Sequence, residues 1–185
     1  MPAIPIFAQI LSIIAMTIAL LSFQQKTQKR IVLFQFCSSF LFAVHFLLLG
    51  AITGALLNFM AAGRALIYSK RDQKWAASPF WILLFSILPF GIYGASFAFF
   101  GIAPTLSNLL LELLPTLGMI STTISFRMKQ AAQVRLFSLI SSPLWLIYNI
   151  FNFSIGGILT ESFSLISILI GILRLDLKKE QRKSR

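Results

Sequence analysis

Acidic side chains are scarce in this chain: five Asp and Glu stand against sixteen Lys and Arg over 185 residues, a net charge of +11. Cysteine and histidine occur once each, as Cys37 and His45. An internal disulfide framework is therefore excluded, and no spacing of Cys, His, Asp and Glu offers a metal-ligand set. The acids inside apolar runs, Glu112 and Glu161, lie in separate segments and form no nucleophile–base pair with His45 or Cys37. The chain is thus expected to be a non-enzyme without cofactor. Long polar stretches are scarce as well. What fills the chain is apolar: 57% hydrophobic residues, nineteen phenylalanines and a mean hydropathy of +0.86.

A soluble domain of this length cannot hide so much apolar surface, whereas a helical bundle solvated by lipid need not. The apolar runs are continuous and about 20 residues long without period-two alternation, which selects helices over a membrane barrel. They fall near 6–23, 31–49, 51–69, 79–97, 104–125, 134–152 and 155–174. "MPAIPIFAQ" has no basic segment and runs into the first span, so no cleavable signal is expected there. The loops alternate in charge. "QQKTQKR", "SKRDQK", "SFRMKQ" and the tail "RLDLKKEQRKSR" are basic, while "GAITG", "ASFAFFGIAP" and "FNFSIGG" carry none. Seven crossings with the N-terminus outside put the basic residues on or near the cytoplasmic side. The basic charge then orients the protein and, in the tail, meets lipid headgroups, so no nucleic-acid partner is expected. By the same reading Arg64, about a turn from the cytoplasmic end of span 3, snorkels to that surface, and Trp75 and Trp81 anchor the start of span 4.

Sliding the chain by 103 positions aligns 9–71 with 112–174 without a gap, and sixteen of the 63 aligned positions are identical. Ser38-Ser39 falls on Ser141-Ser142 and Gly54 on Gly157. Three spans per repeat with one span between them return the second repeat to the orientation of the first. The expected fold is an all-α integral membrane protein of seven transmembrane helices arranged 3+1+3. Residues 1–75 form the first repeat, 76–100 the linking span, 101–176 the second repeat and 177–185 a basic cytoplasmic tail.

The repeat also matches polar residues. Gln9 falls on Glu112, Asn58 on Glu161 and His45 on Tyr148, each in the outer half of its span. Intramembrane polar groups face the bundle interior or water, so these pairs are expected around one shared cavity. Span 3 carries Gly54, Asn58, Ala61 and Ala65 on one face, and span 7 carries Gly157, Glu161, Ser164 and Ile168. In span 5, Pro115 leaves the Leu111 carbonyl without its helical donor, so the helix is bendable beside Glu112; Pro143 does the same in span 6. Asn58 and Asn149 contact a ligand or tie helices together, and Trp145 and Tyr148 stack on a ring or pack. Both alternatives stay open on sequence.

"HFLLLGAITGALLN" (45–58), "ELLPTLG" (112–118) and "WLIYNIFNFSIGGILTES" (145–162) resemble the YgjV family of small bacterial inner-membrane proteins, over about residues 8–175. That family is in turn distantly similar to the SWEET and PQ-loop (MtN3-like) transporters, which share a 3+1+3 plan. In those, an asparagine from the third span of each repeat and aromatics from the second line the sugar site. The resemblance carries these roles to Asn58, Glu161, Phe42 and Trp145. Glu161 is an acid where that pattern has an amide. The hinge prolines are met by Pro115 and Pro143 only, since their partners are Ser12 and Phe40.

The resulting expectation is a small-molecule permease or exporter in the bacterial inner membrane, with its C-terminus in the cytoplasm. Its site would comprise Asn58, Glu161, Glu112, Gln9, His45, Tyr148, Phe42, Trp145 and Asn149, and proton linkage would run through Glu161 or Glu112. The alternative is a membrane scaffold whose polar residues are interhelical glue. The partners are the lipid bilayer and a small polar substrate. A homo-oligomer is left open.

Overall fold

A computed structural model describes residues 3–22, 28–70, 72–125, 128 and 131–173. Most of the first and third basic loops and the basic tail lie outside these residues. Among the described residues seven α-helices follow one another: α1 (Ala3–Ser22), α2 (Gln28–Leu49), α3 (Ile52–Tyr68), α4 (Pro79–Ala98), α5 (Leu106–Ser125), α6 (Ala131–Phe151) and α7 (Ile155–Gly171). Helix α1 begins before the apolar run because Pro5 sits in its first turn, where a missing N–H goes unnoticed. Helix α6 begins three residues ahead of its run, through Ala131 and Ala132, strong helix formers. No strand occurs among the described residues.

Helix α1 packs on α2 and α2 on α3; α5 packs on α6 and α6 on α7. The two triplets meet along α1·α7 and along α3·α5, which closes a six-helix ring, and α4 lies outside it against α3 and α5. Exchanging α1, α2 and α3 for α5, α6 and α7 maps one junction onto the other. The match reaches individual bonds. The Ser38 hydroxyl donates to the Ala15 carbonyl, and Ser141, 103 positions on, to that of Gly118, both at 2.8 Å. The Ala51 N–H reaches the Phe46 carbonyl and the Ser154 N–H that of Asn149, both at 2.9 Å. Gly50 and Phe153, also matched, both take the left-handed conformation in these turns, which glycine adopts freely and phenylalanine does not.

Burial is inverted relative to a water-soluble protein. Leu83 and Leu110 are 60% and 57% exposed, whereas His45, Thr53 and Thr123 are fully buried. Every helix turns large apolar side chains outward, among them Ile10, Phe40, Leu66, Ile87, Leu117, Ile140 and Ile166. Such a surface is stable only in a hydrocarbon solvent. Length and composition alone mark α4 and most of α6 as able to cross a bilayer, and four shorter helical stretches are also apolar.

The α1·α7 junction depends on Gly156. A Cβ there would lie 2.4 Å from the backbone of Ser12, so no side-chain rotation relieves the clash. Gly156→Ala is expected to lower stability by about 1–3 kcal/mol through overpacking, while Gly91→Ala, at a site with open space, leaves it unchanged or raised. Thermal unfolding in detergent checks the contrast.

Candidate functional site

The two loops without charge that join α2 to α3 and α6 to α7, and the one that joins α4 to α5, define one end of the ring; the opposite ends of the helices, called the basic end after the sequence there, define the other. Helices α3 and α7 both start at the neutral end, and their first N–H groups have no partner within their own helix. In lipid, water does not supply one. The opposite repeat supplies it instead. Gln9 of α1 donates to the Phe153 carbonyl at 2.6 Å and accepts from the Ile155 N–H at 3.0 Å. The Ser12 hydroxyl accepts from the Gly156 N–H at 3.1 Å. His45 bridges the same place: Nδ1 donates to the Ala8 carbonyl at 2.7 Å and Nε2 pairs with the Ser154 hydroxyl at 2.8 Å. Ser154 in turn caps α7 by accepting from the Gly157 N–H.

The other junction uses the matched residues. Ala51, the counterpart of Ser154, has no side chain with which to cap α3. The Gly54 N–H therefore donates to the Tyr148 hydroxyl, at 3.0 Å. The Glu112 carboxyl lies beside the Thr53 and Tyr148 hydroxyls, and its Oε2 is buried without a hydrogen-bond partner among the described residues. Thr53 also donates to Ser96 of α4 at 2.7 Å, which ties the linking helix to this point.

Beneath these two seals lies a cavity of about 500 Å³ at the centre of the ring. Matched residues face each other across it: Phe42 and Trp145, Ser39 and Ser142, Asn58 and Glu161, Arg64 and Ser167. Asn149 and Gly157 line it near the neutral end; Leu20, Ser138, Thr122 and Ile168 carry it toward the basic end. Gly118 seats the Trp145 indole, since a Cβ there would lie 2.7 Å from the ring. Glu161 stands beside the Ser142 hydroxyl, and the Asn58 amide nitrogen donates to the Gly54 carbonyl at 2.9 Å.

The structure thus divides residues that the sequence placed around one centre. Asn58, Glu161, Phe42, Trp145 and Asn149 line the cavity; Gln9, His45, Glu112 and Tyr148 do not, and form the seals above it. Pro115 and Pro143 lie inside α5 and α6, which run on as helices through both. Arg64 departs from its expected place. It is buried rather than reaching the surface, lines the cavity and donates to the Thr123 hydroxyl of α5. Its partner position in the repeat, Ser167, was the available signal, because it lies on the same face as Glu161 and Ser164. Among the described residues no cluster of His, Cys, Asp and Glu could hold a metal ion.

A closed helical ring, apolar outside and polar within, defines an all-α integral membrane bundle. The chain belongs to the YgjV family of bacterial inner membrane proteins, whose model matches residues 6–179. No curated protein and no solved structure matches it.

Replacing His45 by leucine removes the donor to Ala8 and the partner of Ser154 in a dry setting. The expected loss is about 1–3 kcal/mol of stability, read as a lower unfolding temperature in detergent.

Proposed function

We propose that this protein is a small-molecule permease or exporter of SWEET-like build, with Asn58 and Glu161 as the polar centre of its substrate site. The observation that supports this most directly is the cavity, whose walls come from both repeats and whose lining includes one carboxylate and one guanidinium. Packing alone favours filling such a space with apolar side chains. In this reading the N-terminus and the neutral loops face outward and the basic loops face the cytoplasm. The two seals then close the outer end, and the cavity communicates with the cytoplasm. Release of one junction, with bending at Pro115 and Pro143, would let the repeats rock and expose Glu161 to the other side. The reading requires no catalytic step and no cofactor.

A membrane scaffold is the second reading, and the seals favour it, since Gln9, Ser12, His45 and Tyr148 act as interhelical ties. The two readings differ over water. With Cys37 replaced by serine, a cysteine at Ser164 on the cavity wall is expected to react with a membrane-impermeant maleimide in inside-out vesicles. A cysteine at Ile166, which is turned to lipid, is expected to stay unmodified. A dry centre, with neither position labelled, would support the scaffold.

A further inference from the structure

The cavity is polarised along its length. Toward its sealed end stand the Glu161 carboxylate and the Asn58 and Asn149 amides; toward the basic end stand Arg64 and the hydroxyls of Ser138 and Ser167. Arg64 is six residues beyond Asn58 on α3, about 9 Å of helix rise. Near the sealed end some of the donors are already engaged. One Asn58 amide N–H reaches the Gly54 carbonyl, and the Thr160 hydroxyl donates to that of Gly156. This end also offers acceptors, the Glu161 carboxylate and the Asn58 amide oxygen. The Asn149 amide oxygen, packed against Gly157, also has no partner among the described residues.

An ammonium group presents donors only and carries the charge that complements Glu161. Phe42, Phe46 and Trp145 line the same end, and a cation seated over an aromatic ring there would gain its attraction. The positive charge of Arg64 at the far end repels a cation and directs it toward Glu161.

We infer that the substrate is a small organic ammonium compound, whose cationic nitrogen sits at the sealed end of the cavity between Glu161, Asn58 and the aromatic wall. This inference rests on the reading of the cavity as a substrate site. A protein with Trp75 and Trp81 replaced by phenylalanine keeps Trp145 as its single indole. Its fluorescence is titrated with choline, with the uncharged isostere 3,3-dimethyl-1-butanol, with erythritol and with sodium succinate at matched ionic strength. Thermal unfolding of the otherwise unaltered protein with the same four compounds gives a second readout if the double variant folds poorly. The expected result is a saturable response to choline, at least about tenfold tighter than to its isostere, a difference of 1.4 kcal/mol. Glu161→Gln abolishes that preference and Glu161→Asp retains it. An equal response to the isostere or to erythritol would overturn the ammonium assignment while leaving a substrate site in place. No response to any compound, with the Ser164 cysteine labelled, would overturn the assignment alone. No response together with an unlabelled cysteine would overturn the permease reading too.

Discussion

A helix that begins inside a bilayer starts with N–H groups that neither its own backbone nor water can satisfy. Two helices of this protein, α3 and α7, begin that way after tight turns, and each is completed by side chains of the opposite repeat. That requirement holds the ring together. It accounts for Gln9 and Ser12 in α1 and for the Tyr148 ring in α6. It also accounts for Gly156, where the backbones must come close enough for Ser12 to reach a backbone N–H.

The two junctions are built on one plan with different chemistry. Ser154 caps its own helix and leaves His45 free to tie α2 to the turn. Ala51 provides no cap, so Tyr148 takes that role, and Glu112 stands beside it with one oxygen unmet among the described residues. The α1·α7 junction rests on an amide, hydroxyls and an imidazole, whereas the α3·α5 junction carries a carboxyl.

Much of the fold could be read from the sequence, because lipid leaves few choices. Apolar runs of spanning length, loops of alternating charge and the 103-residue repeat led to seven helices in a 3+1+3 order. The repeat paired Asn58 with Glu161 and the family resemblance pointed to Phe42 and Trp145, and all four line the cavity. Depth and direction within the ring were harder to read. Phe42 and His45 are three positions apart and share a helical stripe, yet one turns to the cavity and the other to the α1–α7 junction. Helical spacing gives a face, and a face wide enough to meet two neighbours does not say which of them a given side chain touches. Arg64 was misplaced for a related reason: the charge rule describes where basic residues gather, and a single arginine with a hydroxyl partner in the ring is not bound by it.

The central claim is that the Gly54 N–H of α3 and the Ile155 and Gly156 N–H groups of α7 are held by the opposite repeat. Hydrogen–deuterium exchange of the detergent-solubilised protein, followed by mass spectrometry on peptides covering 51–56 and 153–158, tests it directly. The account predicts slow exchange in both segments, with Tyr148→Phe accelerating only the first and Ser12→Ala only the second. Fast exchange in both segments of the unaltered protein, or variants that leave the rates unchanged, would contradict it.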